Sequence, residues 1–98
     1  MKEGYIKIAI YKEEYKDLKV YYKPGEKSTT YAVCVDKVEN LDSLLKGISQ
    51  VYVDTADGEK YIFISIPNTY TRNDRNDSIR GLLFSLGLKD EYEVITML

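Results

Sequence analysis

Apolar and polar side chains alternate with the two-residue period of a β-strand in several separated runs of this chain, and two further runs follow the helical period. Residues 4–11 place Ile6, Ile8 and Ile10 on one face and Tyr5, Lys7, Ala9 and Tyr11 on the other, the pattern of a strand buried on one side. After the polar stretch 12–17 the alternation resumes, with Leu18, Val20 and Tyr22 opposite Lys19, Tyr21 and Lys23. Pro24-Gly25 then stops it, so the two runs are expected to pair as an N-terminal hairpin over 5–23.

A third strand is expected over 29–37, with Tyr31, Val33 and Val35 on one face and Ala32 and Cys34 on the other. Both faces are apolar, which places this strand inside a sheet. Asn40 is expected to cap a short helix over 41–48 that carries Leu41, Leu44, Leu45 and Ile48 at helical spacing and is limited by Gly47. Residues 50–54 and 59–66 read as strands joined across 55–58, where Asp57-Gly58 is a strong hairpin signal. The second of these is apolar on both faces and is also expected to be central. Pro67 ends it. A helix over about 75–86 has Ile79, Leu82, Leu83 and Leu86 on one stripe and a closing Gly87 followed by Leu88. Residues 91–98 fit a last strand.

The fold class is therefore α+β: a mainly antiparallel sheet of about six strands with two helices, in a single domain over 1–98. From residue 29 the order strand, helix, strand, strand, helix, strand resembles that of ferredoxin-like domains, with the N-terminal hairpin added in front. If 41–48 holds only one helical turn, the alternative is an antiparallel meander packed on the helix at 75–86.

Composition narrows the function classes. A chain of 98 residues can bury one core without metal or disulfides. A net charge of −2 argues against bulk electrostatic capture of nucleic acid or an anionic membrane. The single cysteine, Cys34, excludes an internal disulfide. With no signal-like apolar run at the N-terminus and no segment long enough to cross a bilayer, this points to a cytoplasmic setting. Ten tyrosines against two phenylalanines suit half-wet sheet faces and interfaces. Tyr5, Tyr11, Tyr21 and Tyr52 are expected to offer a face or edge to a second copy, which predicts a homodimer.

The chain has no histidine, which removes the commonest general base and the usual zinc nitrogen ligand. It has no phosphate-binding glycine motif. Asp54, Asp57 and Glu59 surround a hairpin turn but are too few for a calcium loop. No catalytic group, cofactor or metal site is expected.

The sharpest feature is arginine. All three, Arg72, Arg75 and Arg80, fall in one nine-residue stretch, while eleven lysines are scattered over the rest. Arginine grips carboxylate or phosphate with a planar two-point fork, so its confinement marks a candidate site: Tyr70, Thr71, Arg72, Asn73, Arg75, Asn76, Ser78 and Arg80. Asp74 and Asp77 share the turn and fit the role of helix caps.

These features together favour a non-catalytic binding protein acting by protein–protein interaction, a class that includes small regulators and phage or mobile-element inhibitors of host defence. The alternative is a binder of an anionic small ligand, a nucleotide or phosphorylated metabolite, held by Arg72, Arg75 and the helix start. A third reading is RNA binding on sheet aromatics. The placement of Tyr31, Tyr61 and Phe63 resembles that of RNA-recognition domains, although residues 58–66 lack the small residue between aromatics and the net charge is negative. An enzyme using carboxylates or tyrosine as acid and base lacks a visible pair.

Overall fold

A computed structural model of the chain describes residues 1–10, 13, 17–48 and 51–88. They form five strands and two helices: β1 (Ile6–Lys7), β2 (Val20–Lys23), β3 (Ser28–Cys34), α1 (Leu41–Leu44), β4 (Val51–Ala56), β5 (Glu59–Pro67) and α2 (Arg72–Ser85). The strands make one sheet in the order β1-β2-β3-β5-β4, antiparallel at every junction. The expected strand at 91–98 lies outside the described residues, as does Tyr11. Among the described residues no helix is long and apolar enough to cross a membrane.

The N-terminal hairpin pairs as expected, with Ile6 opposite Tyr22, and Ile8 extends it by donating its N–H to the Val20 carbonyl at 2.9 Å. β5 inserts between β3 and β4, so β3 and β4 run parallel to each other and the chain is not a simple meander. The connection between β3 and β4 is long enough to join parallel strands, and among its described residues, 35–48, only Leu41–Leu44 are helical. The outer side of β3 is taken by β2, with Val20 opposite Val33.

α1 is one turn, shorter than the expected helix over 41–48. Asn40 does not cap it through its side chain. It sits in the left-handed region at φ 57°, which asparagine tolerates better than most residues. Leu41 still anchors the crossover in the core, and Gly47 at φ 86° ends the segment. The β4–β5 turn is tighter than expected. Asp57 and Gly58, at φ 55° and 79°, form a two-residue turn whose twist matches the strands, and β4 extends to Ala56.

The alternation sorts side chains onto two faces. One carries Val20, Tyr31, Val33, Ile62, Ile64 and Ile66 and is covered by Leu41 from the crossover, by Ile79 and Leu83 of α2 and by Leu86 at its C-cap. Burying each large aliphatic side chain here contributes about 1.5–3 kcal/mol. The other face carries Ala32, Cys34, Tyr61 and Phe63, with Met1, Tyr5 and Tyr21 packed on them. α2 closes as its glycine predicts: Gly87 at φ 74° donates to the Phe84 carbonyl at 3.1 Å, and Leu88 donates to Leu83 at 2.8 Å.

Candidate functional site

The arginine segment is helical from its first arginine. Thr71 is the N-cap, extended at φ −67° and ψ 165°, and its Oγ1 accepts from the Asp74 N–H at 3.1 Å. The expected start near residue 75, capped by an Asp or Asn, is corrected by three residues. A turn in which the Tyr70 N–H donates to the Pro67 carbonyl at 3.1 Å ends β5 and delivers Thr71 in the extended conformation a cap requires. Of the predicted site residues, only Tyr70 and Thr71 therefore precede the helix.

Helical geometry then divides the remaining candidates. Arg75, Ile79, Leu82, Leu83 and Leu86 form the stripe that faces the sheet, with Ile79 and Leu83 fully buried. Arg75 heads this stripe and lines a shallow groove of about 300 Å³ with Tyr22, Pro24, Thr29 and Tyr31. Its Nε and the neighbouring Asn76 Oδ1 are shielded from solvent without a hydrogen-bond partner. On the opposite stripe Asn73, Asp77, Arg80 and Phe84 are exposed. The Arg80 guanidinium lies 5.5 Å from the centre of the Phe84 ring, which is 45% exposed. Tyr70, just ahead of the cap, is 44% exposed, and Arg72 and Ser78 are exposed as well. The arginines thus divide between an inward groove and an outward helix face.

The rings expected to stack bases are not on one surface. Tyr31 is buried on the helix-covered face, whereas Tyr61 and Phe63 lie on the other. Those two are 1% and 0% exposed, so neither offers its ring to a base. Tyr52 stacks on Phe63 at 4.9 Å and 9°, and Tyr5 meets it edge-on at 5.7 Å. Lys2 Nζ sits 4.7 Å over the same ring and pairs with Asp54 at 2.5 Å, while the Met1 ammonium pairs with Asp57. Burial raises the Tyr61 hydroxyl pKa strongly, with the nearby Tyr21 adding to it.

A polar cluster that the sequence did not reveal lies at one end of this face. Pairing of Cys34 with Tyr61 brings Cys34 next to Glu59, and the Cys34 Sγ and carboxylate oxygens of Asp36 and Glu59 all lie within 4.8 Å of one another. They border a cleft of about 470 Å³. The cluster is already engaged: Lys19 Nζ donates to Glu59 Oε1 at 2.6 Å, Cys34 Sγ to Glu59 Oε2 at 3.7 Å, and the Lys60 N–H to Asp36 Oδ1 at 2.7 Å. Burial, aided by the two carboxylates, raises the thiol pKa above its ordinary value of 9.0. A thiol held protonated is a poor nucleophile, so the geometry describes a polar anchor between β3 and β5.

No protein-family model, curated protein or solved structure matches this chain.

Proposed function

We propose that this chain is a non-catalytic binding protein that recognises another protein through the outward face of α2. The observation that carries this reading is the exposure of Phe84 beside Arg80 on the stripe opposite the core, with Tyr70 exposed at the head of the helix. Exposed aromatics and arginine are the residue types that dominate binding energy at interfaces. A helix presenting them at i, i+4 spacing is a suitable ridge for a groove on a partner. The reading includes a cytoplasmic setting and the mode of action of small regulators, among them phage or mobile-element inhibitors of host defence, which work by occupying a surface.

A second reading rests on Arg75. Its unpartnered Nε in the groove beside Tyr22 and Thr29 suits a small anion, a phosphate or a nucleotide.

One comparison tests both. Wild-type protein, Arg80→Ala/Phe84→Ala and Arg75→Gln are used for affinity capture from cells of the source, and circular dichroism verifies their folds. The first reading expects a captured protein that is lost with the double variant and kept with Arg75→Gln. Native mass spectrometry of the same samples reads the second as an anionic adduct lost only with Arg75→Gln. A partner held equally by all three proteins would reject the α2 face.

A further inference from the structure

The geometry points to β4 as the strand on which a second copy of this chain adds to the sheet. β4 is an edge strand: it pairs with β5 on one side, and no strand among the described residues pairs with the other. The two-residue turn makes Ala56 and Glu59 the closing hydrogen-bonded pair, so Asp54 and Tyr52 also bond to β5, while Val51, Val53 and Thr55 direct their N–H and C=O outward. The Thr55 N–H is occupied, donating to Asp54 Oδ1 at 2.8 Å. Among the described residues, the ladder groups that no strand takes up are therefore those of Val51 and Val53 together with the Thr55 carbonyl.

Side chains along this edge are also left open. Tyr52 is 51% exposed on one face of the sheet and Val53 is 37% exposed on the other. The only charge on the strand, Asp54, is paired with Lys2.

The segment Val51-Tyr52-Val53 reads the same in both directions, which selects the occupant. In antiparallel pairing about a two-fold axis at Tyr52, Val51 of one copy faces Val53 of the other. Their four free backbone groups then satisfy one another in two hydrogen bonds at each end of the axis. The two Tyr52 rings meet on one face and β-branched pairs form on the other, both favourable cross-strand matches. This register leaves the Asp54–Thr55 contact intact. A register centred on Val53 would have to break it to free the Thr55 N–H. The result is a sheet continuous across two copies, joining the five described strands of each. An overlap this short buries less than about 1,200 Å², the class of weak and concentration-dependent association.

The full chain tests this by sedimentation equilibrium from low micromolar concentration to about 0.5 mM, the range that a small interface requires. Wild type is expected to move from one-chain to two-chain mass. Val53→Pro removes one outward N–H and leaves the β5 ladder untouched, so it is expected to weaken association at least about tenfold, proline being tolerated at edge positions. Val53→Lys is expected to do the same by placing like charges near the axis, and it serves if the proline variant fails to fold. In a Cys34→Ser background, Tyr52→Cys is expected to oxidise to a symmetric disulfide-linked dimer and Thr55→Cys is not, because only the residue on the axis faces itself. A wild type that keeps one-chain mass throughout, a dimer indifferent to both Val53 variants, or equal disulfide yield from both cysteine variants would overturn the proposal. The Arg80→Ala/Phe84→Ala variant keeps its β4 edge, so the loss of a partner at α2 and the loss of self-association are read separately.

Discussion

Gly25 occupies a position where a side chain has no room. A Cβ there would lie 2.6 Å from the Ser28 carbonyl oxygen, and Asn68 fixes the turn by donating its side-chain amide to the Gly25 carbonyl at 2.7 Å. Gly81 is the opposite case. It lies inside α2, and a Cβ would meet nothing within 4 Å. Gly25→Ala is therefore expected to cost about 1–3 kcal/mol, whereas Gly81→Ala is expected to gain about 0.5–1 kcal/mol by lowering the entropy of the unfolded chain. Urea denaturation of the two variants reads both signs, and the same sign for both would contradict this account. Asp54 makes a pH-dependent contribution. The Lys2 ammonium, with help from the Thr55 N–H, holds its carboxyl below the ordinary value of 3.8. A carboxyl whose folded pKa is lowered contributes stability that is present above 3.8 and lost as pH falls through the folded value. Wild type is expected to exceed Asp54→Asn at pH 6, and the gap is expected to close on acidification and to shrink with added salt. A gap that stays constant down to pH 2 would remove Asp54 from the acid response.

At the level of elements, strands were more legible than helix ends. The alternation in β3 states the period and puts Tyr31 and Val33 on one face and Ala32 and Cys34 on the other, whereas β5 is apolar on both faces and only its register on β3 places Ile62 beside Val33. The Asp57-Gly58 turn and the Gly87 helix closure were legible because positive φ restricts the residues that fit. The start of α2 was not legible, since Thr69, Thr71, Asn73 and Asp74 all carry an oxygen that can cap. The choice of Thr71 depends on where the turn after Pro67 leaves the chain. That displacement put Arg75 one turn inside the helix, on the inward stripe, and left Arg72 and Arg80 exposed. The Cys34, Asp36 and Glu59 cluster was hidden for a different reason: its members are up to 25 positions apart, and only the register of β3 on β5 joins them. Asn40 shows the limit of reading caps from residue type, because asparagine suits both an N-cap and the left-handed conformation it adopts here.

Across the whole molecule, a single sheet carries an apolar cluster on each face, and β3 and β5 supply alternate residues to both. On β5, Ile62, Ile64 and Ile66 belong to the helix-covered cluster while Tyr61 and Phe63 belong to the aromatic one. Neither cluster can open without distorting strands that the other needs, so the described fold should unfold in one cooperative step. Among the described residues, the tyrosines in ring–ring contact, Tyr5, Tyr21, Tyr52 and Tyr61, lie on the aromatic face, whereas far-ultraviolet circular dichroism reports on the backbone of all elements. The near- and far-ultraviolet urea transitions are therefore expected to coincide in wild type. They should remain coincident in Leu83→Ala, which opens a cavity under α2 at a cost of about 2–5 kcal/mol, and in Phe63→Leu on the other face. Because the two side chains belong to different clusters, the losses in the double variant are expected to add within about 0.5 kcal/mol. An aromatic signal lost at lower urea than the backbone signal would show that the aromatic face melts first, and the sheet would then be two half-cores joined by shared strands, without a common transition.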